Sequence, residues 1–158
     1  MVVCGAHLQG QPLNWQLTER GGQLLQKTVS SAHYQLYALP DGKRPALVRD
    51  ERNGAAIEVE VWSVPHTAFG SFVAAIPAPL GIGKVELDDG RWLCGFICDG
   101  FGLTGAENIS RYGGWRNWLA ARLRKRCTAT GSNTSRRAAS VAKTEPTSSS
   151  TRSASCLR

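Results

Sequence analysis

A chain of 158 residues with 42% hydrophobic content suits one domain with a filled core. Its net charge of +7 would suggest a nucleic-acid or membrane partner, but residues 1–121 hold ten Lys/Arg against eleven Asp/Glu and residues 122–158 hold nine against one. The globular part is nearly neutral, which excludes an electrostatic footprint for nucleic acid on it, and no apolar run approaches the roughly 18 residues of a membrane span.

In chain order, Val2–Ala6 reads as a strand that breaks at Gly5-Ala6 into a loop carrying His7. Residues from Pro12 to Gly21 suit a short helix, with Leu13 and Leu17 at i and i+4 and Pro12 tolerated in its first turn. "HYQLYAL" alternates, with Tyr34, Leu36 and Ala38 on one face, and "RPALVRD" is a short strand entered through Pro45. Asn53-Gly54 is a hairpin-type turn. "AAIEVEVWSV" then predicts a strand with Ile57, Val59 and Val61 inward and Glu58, Glu60 and Trp62 on the opposite face.

"PHTAFGSFVAAI" predicts a helix from Pro65, with Phe69, Phe72, Val73 and Ile76 at helical spacing. "PAPLGIG", with two prolines and two glycines in seven residues, reads as irregular. "GKVELDDGRWLCGFICDGF" is a hairpin turning at Asp89-Gly90, and "GGWRNWLAARLRKR" is a closing helix. Six or so strands with two or three helices and no regular βαβ alternation predict an α+β fold, a small mixed β-barrel or a strongly curved mixed sheet with flanking helices.

The domain is expected over residues 1–121, with a basic helix end at 122–126. Residues 127–158 contain 14 Ser/Thr among 32 and no aromatic residue. That composition predicts a disordered basic C-terminal tail: a solvated extension, an interaction tail, or a chain end foreign to the domain. Five cysteines, an odd number with no secretory signal before them, predict free thiols in a reducing cytoplasm. Cys94 and Cys98 share a strand face and suit small buried hydrophobes rather than a metal pair, so no metal site is expected.

The chemistry narrows to few residues. His33 and His66 suit surface groups or caps. His7 differs because Gly5 permits close backbone approach and successive loop N–H groups can form an anion-binding nest beside a group that titrates near neutrality. That combination suits proton transfer on a small carboxylate; a capping or core histidine is the alternative. Glu58 and Glu60 share one strand face and suit a carboxylate pair, though such a pair is more often a solvated sheet face or a partner for Arg49 or Arg91. No nucleophile elbow, phosphate loop or aromatic stacking platform is present.

"GAHLQGQPLNWQL", "YQLYALPDGKRPALVR", "AAIEVEVWSVP", "FGSFVAAIPAPLGIGKVELDDGRWLCGF" and "YGGWRNWLA" resemble, in order, the C-terminal domain of allophanate hydrolase over residues 2 to about 121. The resemblance implies a γ-glutamylcyclotransferase-like fold and a cofactor-independent domain that decarboxylates N-carboxycarbamate in urea and allophanate degradation. It implies that His7 is the catalytic acid/base, with Gly5, Ala6 and Leu8 around it, Arg49 adding a charge-assisted contact and Gln16 orienting the same group. The partners implied are a small dicarboxylate substrate and a separate amidase subunit. An accessory domain for that amidase and a truncated remnant are the alternatives.

The chain departs from the family pattern at two places. The acidic residue that cyclotransferase relatives carry is missing, with no Asp or Glu from Ser71 to Lys84, so γ-glutamyl cyclisation is not expected. Ala46 stands where relatives often have glycine, which would strain the backbone if φ there were positive.

Overall fold

The computed structural model describes residues 1–131. Residues Met1–Arg122 form one compact unit, and the chain from Leu123 clusters as a second. The elements in order are β1 (Val2–Val3), α1 (Trp15–Thr18), β2 (Gln23–Val29), β3 (Tyr34–Ala38), β4 (Pro45–Arg49), β5 (Glu58–Ser63), α2 (His66–Ala74), β6 (Leu80–Glu86), β7 (Trp92–Cys98), β8 (Glu107–Asn108) and α3 (Trp115–Gly131).

The strands form a five-stranded sheet, order β2-β5-β1-β7-β6, and a three-stranded sheet, order β4-β3-β8. The mixed, curved α+β architecture expected from the sequence is present, as two sheets that do not close into one hydrogen-bonded barrel. β1 is the pivot of the larger sheet, antiparallel to β5 and parallel to β7. Only two residues long, it is wholly buried, with Val2 at 1% and Val3 at 0% exposure. The chain leaving β1 therefore emerges from the middle of the sheet, and that is where His7 is placed.

Several local expectations change. β2 is a strand the hydrophobic pattern hides. Asn53-Gly54 is not a hairpin turn, because it joins β4 to β5 and these lie in different sheets. "PAPLGIG" is irregular only at its start, since β6 begins at Leu80 and pairs with β7 through Gly81 and Gly83. Gly83 is there for room: a Cβ would sit 2.6 Å from Ile97 Cδ1. Ala46 lies inside β4 opposite Tyr37, fully buried beside Leu39 and Cys98, in a strand rather than a left-handed turn. Helix α3 runs past Arg126 to Gly131, and the rest of the expected tail, residues 132–158, lies outside the described residues.

The largest correction concerns β5. Ile57, Val59 and Val61 are buried as expected, but so are Glu60 (0%) and Trp62 (3%) on the other face. Arg116, from the first turn of α3, meets both carboxylates, with Nη1 2.7 Å from Glu58 Oε1 and Nη2 2.8 Å from Glu60 Oε1. Glu60 is thus buried and Glu58 only partly exposed, and both pair with Arg116 rather than with Arg49 or Arg91. Trp115 beside Arg116 is 2% exposed and its ring lies 4.6 Å from that of Trp118, so the start of α3 is anchored by one of the largest side chains in the core.

Candidate active site

The loop after β1 is built by a close approach and a set of short-range hydrogen bonds. A Cβ on Gly5 would lie 1.8 Å from Pro45 Cγ, so only glycine lets the chain leaving β1 pass the start of β4. The backbone then turns: Leu8 N–H donates to Gly5 O at 2.9 Å and Leu13 N–H to Ala6 O at 2.8 Å. Asn14 Nδ2 donates to His7 O at 2.9 Å. Leu8 is fully buried and plugs the loop into the core, while His7 lines a cavity on the other side.

That cavity has a volume of about 250 Å³ and draws on both sheets and α2. Its centrepiece is the His7 imidazole. The ring stacks on Phe96 of β7, centroids 4.9 Å apart at 21°, and meets the edge of Phe72 of α2 at 5.3 Å and 70°. His7 Nε2 lies 2.9 Å from Gln16 Oε1 in α1. Burial pushes the imidazole below its ordinary pKa of 6.5, and the Gln16 hydrogen bond offsets part of that. His7 is therefore a neutral base at neutral pH, and with Gln16 accepting at Oε1 the proton sits on Nε2. Nδ1 keeps its lone pair and has no partner among the described residues.

Arg44 supplies the positive charge. It lines the cavity from the turn between β3 and β4, where Asp41 Oδ2 accepts its Nε at 2.5 Å. Desolvation would raise the Asp41 carboxyl, but N–H groups of Lys43 and Arg44 and the Arg44 guanidinium hold it below the ordinary range. Asp41 thus stays anionic and fixes the guanidinium by Nε, and the Nη groups have no acceptor among the described residues. The N–H groups of Ala6 and His7 likewise have none, whereas that of Leu8 goes to Gly5 O and that of Gln9 to Glu60. The cavity is thus lined by Ala6 and His7, whose N–H groups have no acceptor among the described residues, by Arg44 and by a neutral imidazole. Among the described residues no Asp or Glu lines it.

The structure brings together Gly5, Ala6, His7 and Gln16 of the residues singled out from the sequence. Leu8 belongs to the core. Arg49 does not line the cavity: Nη1 donates to Glu86 at 2.8 Å, Nη2 lies 3.3 Å from Glu51, and the guanidinium lies 4.8 Å from the centre of the Trp92 ring. The bond to Glu86 raises the Arg49 pKa. His33 joins the same network through Glu86 at 3.5 Å, and His66 starts α2 in an exposed position. Arg44, Phe72 and Phe96 are the site residues that sequence reasoning missed. Cys4 also lines the cavity, but its thiol is pushed up to about 12 by burial, which leaves it unreactive as a nucleophile. Among the described residues no group of three or more His, Cys, Asp or Glu is placed to hold a metal ion, and no helix is long and apolar enough to cross a membrane.

The profile of the allophanate hydrolase C-terminal domain family matches residues 1–120. The chain is 45% identical over 125 residues to the urea amidolyase of Saccharomyces cerevisiae, an alignment covering 75% of this chain and 7% of that protein. It superposes on the crystal structure of Kluyveromyces lactis allophanate hydrolase with a TM-score of 0.72 at 43% identity, covering 76% of this chain and 21% of that one. A uropathogenic E. coli-specific protein of known structure matches with a TM-score of 0.72 at 29% identity, over 75% of this chain and 93% of that chain. The chain thus spans a small fraction of the curated relatives it matches, and the superposition on the bacterial protein covers nearly all of that solved chain.

Proposed function

The chain belongs to the allophanate hydrolase C-terminal domain family, and from that premise we propose that it decarboxylates N-carboxycarbamate, with His7 moving the proton. The observation that carries the reading is that His7, neutral and bonded to Gln16, lines one cavity with Arg44 and Ala6, while no Asp or Glu lines it among the described residues. Such a site favours a small dianion and disfavours chemistry that needs a protein carboxylate as base.

In the proposed reaction one C–N bond of the substrate breaks. Its electron pair stays on nitrogen, CO₂ leaves, and a proton from His7 completes carbamate. Arg44 and the Ala6 and His7 N–H groups hold the carboxylate that remains. The departing carboxylate becomes neutral, so it is well matched to the apolar wall of Phe72 and Phe96. Binding of a dianion beside the imidazole stabilises the imidazolium that burial disfavours, so Nδ1 takes up its proton together with substrate and delivers it to nitrogen. That proton comes from solvent as the substrate binds, so its delivery returns His7 to the neutral starting state.

The substrate would come from an amidase acting on allophanate, which places the reaction in urea and allophanate breakdown. Mixing the full chain with such an amidase and following CO₂ release tests this directly. Faster release than the amidase alone, in proportion to the concentration of this chain, supports the reading; an unchanged rate sinks it. A second reading, an assembly module for an amidase, is favoured by the small share of the urea amidolyase that the chain matches. It predicts co-elution of the two proteins with no change in the rate of CO₂ release.

A further inference from the structure

The Glu60–Arg116 ion pair grips the loop that carries His7 from both sides of a single residue. Glu60 Oε2 accepts the Gln9 N–H at 2.8 Å, and Arg116 Nη2 donates to Gln9 O at 2.8 Å while also reaching Glu60 Oε1 at 2.8 Å. The peptide planes before and after Gln9 are thus both fixed. Leu8 is buried next to it, and His7 follows one residue upstream. Trp62 Nε1 donates to the same Glu60 oxygen as Gln9, at 3.1 Å. Burial alone would raise the Glu60 carboxyl, but Gln9, Arg116 and Trp62 hold it below the ordinary range, so the grip is ionic.

The four residues of "GGWR" each serve this arrangement. Gly113 takes φ +67°, and its carbonyl accepts the Glu58 N–H at 2.8 Å, tying the start of α3 to β5. A Cβ on Gly114 would lie 2.8 Å from Glu58 Cβ, so glycine lets the helix close on the strand. Trp115 fills the core, and Arg116 bridges Glu58, Glu60 and Gln9. A buried ion pair is weak evidence of stabilisation, because apolar residues of similar volume commonly do as well. What an apolar pair would not provide is two directional bonds to the backbone beside the imidazole.

We propose that Glu60 and Arg116 are positioning residues for His7, holding its loop so that the imidazole stays seated between Phe72, Phe96 and Gln16. This rests on the catalytic reading of His7 for its functional meaning, though its geometry is testable without turnover. The experiment uses the full chain with ¹³C-labelled histidine and follows the His7 Cε1–H resonance, assigned by its loss in His7→Asn. Malonate serves as the dicarboxylate probe.

In the Arg116→Gln variant the His7 resonance should lose the ring-current shift of Phe96 and Phe72, and its titration midpoint should rise toward 6.5. Malonate should bind about tenfold more weakly and decarboxylation should slow by about 10- to 100-fold. Val85→Ala, a buried change in β6 away from the cavity, should lower the melting temperature without moving the His7 signal. A folded Arg116→Gln with wild-type His7 shift and midpoint would overturn the proposal. Should that variant fail to fold, Arg116→Lys decides: a single ammonium nitrogen cannot reproduce the fork whose Nη1 holds Glu58 while Nη2 holds Glu60 and Gln9 O, so the His7 signal should move in the same direction, and an unmoved signal would overturn the proposal. A wild-type chain that does not accelerate decarboxylation would sink the catalytic reading alone, since the resonance still reports the seating of His7.

Discussion

His7 Nε2 and Gln16 Oε1 lie 2.9 Å apart, and this bond decides which imidazole nitrogen is available for chemistry. Gln16 sits in α1, nine residues along, and the helix is aligned by Asn14 donating to His7 O. An amide neither gains nor loses a net proton at neutral pH, so the Gln16 carbonyl oxygen holds the tautomer without competing for the proton.

Replacing Gln16 with Leu keeps much of the volume and removes the acceptor. Because the Gln16 bond raises the imidazole pKa against burial, its loss should lower the His7 midpoint further. The decarboxylation rate should drop about five- to tenfold, the worth of one ordinary hydrogen bond. Histidine ¹⁵N shifts would report the mixed tautomer directly.

Arg44 and Arg49 separate by function. Arg44→Met should weaken malonate binding about 10- to 100-fold, as expected for lost charge-assisted bonds. Its effect on the melting temperature should be small, because the Asp41 pair is solvent-exposed. Arg49→Met should leave malonate affinity unchanged, since its bonds go to Glu86 and Glu51. Calorimetric titration of both variants checks the contrast, and equal losses would mean that Arg49 reaches the ligand.

Why the histidine loop was legible and Arg44 was not follows from how each is placed. Gly5-Ala6-His7-Leu8 is contiguous, so its loop character and histidine are readable together. Arg44 comes from a turn 37 positions away and arrives only because Pro45 packs where Gly5 has no side chain. Phe72 and Phe96 have ordinary core spacing in sequence, and nothing local says that an imidazole lies between them.

The fold shows the same division. The alternation in β5 is readable, but periodicity cannot tell a face covered by a helix from a face in water, and so the sequence leaves Glu58 and Glu60 as a solvated pair or as partners for Arg49 or Arg91. β2 escaped because its register with β5 shifts between Leu24 and Gln26, which breaks the period of two. Gly81 and Gly83 looked like turn residues, although at Gly83 the constraint is the Ile97 side chain across the sheet.

Stability should fall with acid in two windows. The pKa of His7 is lowered in the fold, so the unfolded chain takes up a proton first. Its contribution is complete above pH 6.5 and declines as pH falls from 6.5 toward the folded value. The Glu60 pKa is also lowered, so its contribution is complete above about pH 4.5, the ordinary value, and is lost as pH falls through the folded value. Melting temperatures across pH 8 to 4 should show both declines, and His7→Asn should flatten the upper one only.

γ-Glutamyl dipeptides should yield no 5-oxoproline. The segment from Ser71 to Lys84 has no acid, and among the described residues the cavity wall contains none from elsewhere. Enzyme-dependent 5-oxoproline, detected chromatographically, would require a base other than a carboxylate.

The most direct test of the proton-transfer role is the decarboxylation rate of His7→Asn, with N-carboxycarbamate generated in place by a separate amidase. Asparagine keeps hydrogen bonding but cannot pass a proton at neutral pH. The acceleration over the spontaneous reaction should fall by about 10²- to 10⁴-fold, the usual share of general acid–base catalysis. Malonate affinity should weaken only modestly, because Arg44 and the backbone donors remain. Full acceleration in His7→Asn, with malonate still bound, would contradict the account and remove His7 from the reaction.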